Sequence, residues 1–330
     1  MRRIVLYFAV LGILSVFINV ASAGPDLIKY DLKSDLIKSQ TKIKVLSSIK
    51  PIQSIVLAIA GEHVVSDQLI PDYASPHVYA FKPSDIRKIK KADIIFRVDD
   101  HFEAMLNPLF ENVADQSKIV SLADIPKIHF LPAASGHSHG DKNEHEVEEE
   151  HGSEHQENRD MHIFTSPTNV LLMAKTIADS LSRLEPNKKA LYEKNLQAFI
   201  KAVNQKTEDM KKDFKSVNKA PYFVFHNSWQ YFGEFFGLQK PEVIDMHEGI
   251  TAGAKKILET RKEIIADNVH CIFSDPSISR TRKNILTENL DVKTIEIDVL
   301  QSGLTLDSST YLNWLEAMRT DIKACLSYGM

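Results

Sequence analysis

The chain has 330 residues, of which 43% are hydrophobic and 25% charged, and its formal net charge is −4 with histidine neutral. That length leaves room for two domains of ordinary size. Lys and Arg are spread through helical patterns rather than gathered into one strip, so the composition argues against a nucleic-acid partner.

The first stretch has a character of its own. Arg2 and Arg3 precede an apolar run from Ile4 to Val20, and Ala21-Ser22-Ala23 follows. This is the pattern of a secretory signal peptide cut after Ala23. A membrane anchor is the competing reading, but the run is slightly short for a bilayer span. No cysteine stands at the cleavage point, so the mature chain is expected as a free soluble protein of the periplasm.

Gly24 to Lys42 is a polar, lysine-rich lead-in. Ile43 to Ile49 predicts the first strand, and Pro51 opens a helix with Ile52, Ile55, Val56 and Ile59 on one face, stopped at Gly61. Val64 to Ile70 reads as a strand, and the turn-rich Pro71 to Tyr79 places His77 in a loop. Pro83-Ser84-Asp85 starts a helix to Lys91, Asp93 to Val98 is a strand, Phe102 to Val113 a helix and Lys118 to Leu122 a strand. Alternation of this kind predicts a parallel sheet with helices on both faces.

From Gly136 to His162 histidines and carboxylates alternate with almost nothing apolar between them. So little hydrophobic surface cannot offset the ordering entropy, and a solvated loop is expected over 136–158. His137, His139, His145, His151 and His155, with Asp141, Glu144, Glu146, Glu148, Glu149 and Glu150, offer weak secondary metal ligands. Solubility alone would not require five histidines. The segment ends at Asp160-Met161-His162, directly before a helical pattern.

Ser166-Pro167 caps a helix through Leu184, and Pro186-Asn187 starts one that runs toward Val217. A helix of about 30 residues spans about 45 Å, more than one small sheet needs, so it reads as a rigid strut between lobes. Beyond it the alternation resumes. Strands are expected at Tyr222–Phe225, Glu242–Asp245, Val269–Phe273 and Val292–Ile297, and helices at Trp229–Phe236, Gly253–Ala266, Ser277–Leu290 and Ser309–Leu326. The fold class is therefore α/β, with two lobes that each carry a parallel sheet flanked by helices. The domains are expected as 24–186, a linker helix at 187–217, and 218–330.

Only Cys271 and Cys325 are present, and an exported chain with two cysteines usually joins them. The chain-entropy model gives such a link about 4 kcal/mol. A zinc role for this pair is disfavoured, because no CxxC spacing is present. His226 directly follows the strand ending at Phe225, and Asp298 the strand ending at Ile297. Open α/β sheets place ligands at those carboxyl ends. Singly, His77, His162 and His226 each have a bland reading as hydrogen-bonded residues, and none has the short spacing of a zinc finger or an HExxH helix.

Several stretches nevertheless match a known family. They are Ser75-Pro-His-Val-Tyr79 with Pro83-Ser-Asp85, Met161-His-Ile-Phe-Thr-Ser-Pro167, Tyr222-Phe-Val-Phe-His226 with Phe236-Gly-Leu238, and Phe273-Ser-Asp-Pro276. On these the chain resembles the zinc-binding receptors of bacterial ABC importers, in the metal-specific group of periplasmic solute-binding proteins. The resemblance covers the mature chain and includes the histidine-rich insertion. It implies that His77, His162 and His226 are metal ligands, that Zn²⁺ is the transported ligand, and that the partner is a membrane permease. It implies a receptor, not an enzyme, expected as a monomer.

The chain departs from that family at three points. Asp298 stands where the family has an aspartate before Pro-Leu-Gly, but Val299-Leu-Gln-Ser-Gly303 follows here. Pro76 stands where some members have a glutamate, and Asp275 replaces the usual glutamate before Pro276. Three imidazoles with one carboxylate or a water suit tetrahedral Zn²⁺, whereas manganese favours more oxygen. The competing readings are a manganese or iron receptor on the same fold and, further off, a zinc hydrolase using an activated water.

Overall fold

The structure is a computed structural model that describes residues 42–133, 159–244 and 254–330. The leader at 1–23, the lead-in up to residue 41 and the histidine-rich 136–158 lie outside the described residues.

Two four-stranded parallel sheets organise the chain. The first comprises β1 (Lys44–Ser47), β2 (Val65–Gln68), β3 (Ile94–Arg97) and β4 (Ile119–Ser121), in the order β2-β1-β3-β4. β1 and β3 are central and buried apart from Lys44, with Val45 opposite Ile94 and Leu46 opposite Ile95. The second comprises β5 (Phe223–Val224), β6 (Glu242–Val243), β7 (Cys271–Ser274) and β8 (Lys293–Glu296), in the order β6-β5-β7-β8. Each sheet reverses strand order beside its first strand, which opens a crevice at the carboxyl ends.

Helices cover both sheets. α1 (Lys50–Ala60) has proline in its first turn and buries Ile52, Ile55, Val56 and Ile59 completely. α2 (Pro83–Lys91) and α3 (Asn107–Val113) follow in the first lobe. α4 (Pro167–Leu184) is capped by the Ser166 hydroxyl, which accepts from the Asn169 N–H at 3.3 Å. α5 is the long helix, Lys189–Phe214. α6 (Gln230–Phe236), α7 (Ala254–Ala266), α8 (Arg280–Thr287) and α9 (Thr310–Leu326) complete the set.

The long helix is shorter than its sequence suggests, because 186–188 form a 3-10 turn and the last regular turn closes at Phe214. Its 26 residues still span about 39 Å. It is more than a strut. Tyr192, Leu196, Phe199, Val203, Met210 and Phe214 make a stripe at helical spacing that is buried along its whole length. α1, α4 and α9 pack on it, so one hydrophobic core runs from the first sheet into the second lobe. A smaller core under the other face of the second sheet holds Phe223, Phe225, Ile244, Ile264, Ile272 and Leu286.

Two expected helices are trimmed for local reasons. The one expected from Phe102 begins as a 3-10 turn at 104–106, and α3 starts where Pro108 occupies its first turn. The one expected from Ser277 begins at Arg280, because the Ser279 hydroxyl accepts from the Arg282 N–H and acts as the cap. Cys271, opening β7, is bonded to Cys325 in the last turn of α9, with Cα atoms 5.4 Å apart. The disulfide ties the C-terminal helix to the centre of the second sheet.

Candidate metal centre

His77, His162 and His226 converge from three separate elements. Each offers a ring nitrogen, and these atoms all lie within 4.8 Å of one another. Ring centroids are 5.5 Å apart for His77 and His162, 5.2 Å for His162 and His226, and 6.1 Å for His77 and His226. The pocket they share, about 530 Å³ including the part open to solvent, is lined further by Tyr73, Phe102, Ser228, Asp275 and Asp298. It lies at the carboxyl ends of both sheets, where the strand loops meet.

Each histidine is placed by its own chain segment. His77 sits in the loop after β2, and the far end of that loop is pinned by Asp85. One carboxylate oxygen of Asp85 accepts from the Tyr79 hydroxyl at 2.9 Å and from the Lys82 N–H at 2.7 Å. His226 follows β5 directly after the fully buried Phe225, and its Nδ1 lies 3.9 Å from Asp275 Oδ1. His162 opens the 3-10 turn before α4. Its carbonyl accepts from the Thr165 N–H at 3.0 Å and from the Thr165 hydroxyl at 2.9 Å, which fixes its backbone.

Asp160 orients the His162 ring. Its Oδ1 accepts from the His162 N–H at 2.9 Å and from Nδ1 at 2.6 Å. That bond puts a ring proton on Nδ1 and leaves Nε2 as the nitrogen facing an ion. Gln230 donates to the second carboxylate oxygen, and the Tyr231 hydroxyl donates to the Asp160 carbonyl. Burial opposes the charge of Asp160, but the attraction and hydrogen bonds of His162, with the Gln230 bond, prevail and hold the carboxyl below its ordinary value. Phe102 closes the apolar side, its ring edge-on to His77 at 5.1 Å and to His162 at 5.4 Å.

The remaining carboxylates behave differently. Asp298 lines the same pocket but is not part of the three-histidine group. Burial pushes its carboxyl up to about 6, against hydrogen bonds from Leu300 and Ser302 and with the help of nearby Asp72. Burial also pushes Asp275 up to about 7, against the attraction of His162 and a bond from Ser228, with Asp298 adding repulsion. Both carboxyls are held back from ionising mainly by burial, and a positive charge in the pocket would favour their charged forms.

The family resemblance grouped the three histidines, which the structure brings together, and gave Asp298 as a fourth candidate ligand, which the structure places on the pocket wall outside that group. Sequence reasoning missed Asp160 and Phe102. The Asp-x-His spacing at 160–162 carried the first, since a carboxylate two residues before a histidine reaches its Nδ1 without leaving the turn. Nothing local signalled Phe102. His137, His139, His145, His151 and His155 lie outside the described residues.

A family model described as "Zinc-uptake complex component A periplasmic" matches residues 45–325. The high-affinity zinc uptake system protein ZnuA of Yersinia pestis is 29% identical over 293 residues, covering 86% of this chain and 91% of its own length. The ZnuA of Haemophilus ducreyi is 30% identical over 294 residues, covering 86% and 93%. Among solved structures, a crystal structure of ZnuA superposes with a TM-score of 0.71 at 21% identity, over 87% of this chain and all of that one. The solute-binding protein FpvC of Pseudomonas aeruginosa, solved with Mn²⁺, gives 0.69 at 20% identity, over 87% and 99%. At those identities the structural likeness speaks to the fold alone. The family match runs through both sheets and all three converging histidines, and the chain therefore belongs to the family of periplasmic A components of zinc-uptake complexes.

Proposed function

We propose that this chain is the periplasmic receptor of an ABC zinc importer, capturing Zn²⁺ between its two lobes and delivering it to a membrane permease. In this reading His77, His162 and His226 are the nitrogen ligands, and Asp298 or a water completes the shell. The observation that carries it is the convergence of three imidazoles from separate elements, their ligand nitrogens all within 4.8 Å of one another. A nitrogen-rich, thiolate-free set suits reversible Zn²⁺ binding, and Asp160 behind His162 raises the basicity of that ligand.

Several features follow as part of the proposal. The lobes are 24–186 and 218–330, with 187–217 as the connecting helix, and the mature chain is a free monomer. It binds and releases its cargo without transforming a substrate. The histidine-rich 136–158 supplies additional, weaker Zn²⁺ equivalents, which raise the local metal concentration beside His162.

The deciding experiment is the metal content and ligand environment of protein purified without added metal, read by elemental analysis and X-ray absorption. One tightly held Zn²⁺ with about three imidazole ligands is expected. Manganese held in preference to zinc in direct competition would refute it, as would a shell dominated by oxygen. Deleting 136–158 should spare the tight site and remove the weak equivalents, and loss of the tight site would refute the role given to that segment.

A further inference from the structure

The wall of the pocket carries a seam between the two lobes. Asp72, in the His77 loop, has its Oδ2 placed to accept from Lys50 Nζ at 2.7 Å and from the Gly303 N–H at 3.0 Å. Its Oδ1 accepts from Gln68 Nε2 at 2.9 Å. Next to it, the Tyr73 N–H donates to the Ser302 hydroxyl at 3.1 Å. Lys50, Gln68, Asp72 and Tyr73 belong to the first lobe, whereas Ser302 and Gly303 belong to the loop that follows Asp298 in the second. The hydrogen bonds from Gly303 to Asp72 and from Tyr73 to Ser302 therefore cross between the lobes.

Three features mark this seam as built. Lys50 is nearly buried, its side chain 8% exposed, and it holds the Asp72 carboxylate in place as an ion pair. Both sides carry left-handed backbone, at Tyr73 (φ 64°), Gln301 (φ 60°) and Gly303 (φ 73°), so the two loops are shaped to meet. The approach is close enough that a Cβ on Gly303 would lie 2.5 Å from the Tyr73 hydroxyl oxygen. Tyr73 and Ser302 also line the metal pocket, and Ser302 bonds to the carboxyl of Asp298.

We infer that Asp72 is a positioning residue for the metal pocket, clasping the Asp298 loop of the second lobe to the His77 loop of the first and thereby slowing release of the bound ion. The inference rests on the three-histidine reading of the site. An ion lodged between histidines of both lobes leaves only if the lobes part, so bonds across the seam add to the barrier for release. On this inference capture takes place with the lobes apart, when these bonds are not made, so the bonds slow release more than capture. Affinity differences of this kind reside in the dissociation rate.

The test is stopped-flow transfer of Zn²⁺ from the mature full-length chain to a chelator in excess, with capture measured separately by mixing metal-free protein with Zn²⁺. One hydrogen bond to a charged acceptor is worth about a factor of ten. Asp72→Ala should therefore release about tenfold faster and Asp72→Asn, which keeps the shape but not the charge, several-fold faster, with capture within about twofold of wild type. Gln68→Ala removes a partner of Asp72 inside the first lobe only and should leave release within about twofold. Release unchanged in Asp72→Ala would overturn the clasp, and so would Gln68→Ala matching it, since the effect would then lie within one lobe. If Asp72→Ala fails to fold, Asp72→Asn decides by the same criterion. A wild-type chain without tight Zn²⁺ would refute the metal-centre reading and this inference with it. A tight wild type with unchanged variants overturns the clasp alone.

Discussion

Replacing Asp160 with asparagine tests how much of the metal centre depends on a residue that does not touch the ion. Asparagine keeps an oxygen at the position that accepts from the His162 N–H and Nδ1, so the ring stays oriented, but the negative charge behind it is lost. The imidazole becomes a weaker base at Nε2. Loss of such an outer partner typically costs 10–100-fold in metal affinity, or about 1.4–2.7 kcal/mol. A second cost falls on the fold. The new amide would face the Gln230 amide nitrogen, which cannot turn away freely. That nitrogen also donates to the Pro132 carbonyl at 3.0 Å, and the Gln230 oxygen accepts from Asn227 at 3.4 Å. A buried mismatch of this kind costs about 1–3 kcal/mol. Chelator competition should show Asp160→Asn weaker by one to two powers of ten, with the same metal stoichiometry and a lower melting temperature. Affinity within about threefold of wild type beside a lowered melting temperature would mean that Asp160 only supports the fold, and the argument from ligand basicity would be wrong.

Replacing His77, His162 or His226 with alanine removes a ligand rather than its support, and each should weaken Zn²⁺ binding by more than about 100-fold while the fold persists; titration of the three variants checks this. Asp298→Asn should cost less than any histidine, and unchanged affinity would place Asp298 outside the shell. Reducing Cys271–Cys325, separated by 54 residues, removes about 4 kcal/mol by the chain-entropy relation. For a chain of this size that is a fall of about 6 °C in melting temperature, with Zn²⁺ binding retained. Glu103 is completely buried, and burial pushes its carboxyl up to about 7 from 4.5, against hydrogen bonds from Ser48, Asp99 and Val98. Between those two values the folded chain binds more protons than the unfolded one, so stability falls as pH rises through the window and levels off above it. The metal-free chain should thus lose on the order of 3 kcal/mol from this group between about pH 4.5 and pH 7. Glu103→Gln should flatten that slope in a melting series, and a slope unaltered by it would assign the pH dependence elsewhere.

Local chemistry made much of this protein legible in advance. Alternating apolar strands and amphipathic helices specify two parallel sheets, because a fully covered strand must be apolar on both faces while a covering helix is apolar on one. Prolines at helix starts, Ser166 as a cap and Gly61 after α1 mark boundaries that depend only on neighbouring residues. The histidines at 77, 162 and 226 are ordinary one by one, and it was the motifs around them, matched to a family of metal receptors, that singled them out. Other features depend on residues far apart in the chain, and only the tertiary structure decided them. Asp298 was legible as a candidate ligand at the end of a strand, but its position outside the three-histidine group is a matter of how the loop after β8 packs. Phe102 abuts His77 and His162 because β3 lies beside β1 in the first sheet, a pairing that no local pattern encodes. The long helix reads as a strut from its length alone. Its buried stripe became part of a shared core because α9, more than 90 residues further on, folds back onto it. Asp72 looks like an ordinary turn residue until Gly303, 231 positions away, is brought within hydrogen-bond reach. Periodicity and capping act over a few residues, whereas ligand geometry and lobe-to-lobe contacts are set by the packing of whole elements, and for that reason they cannot be read along the chain.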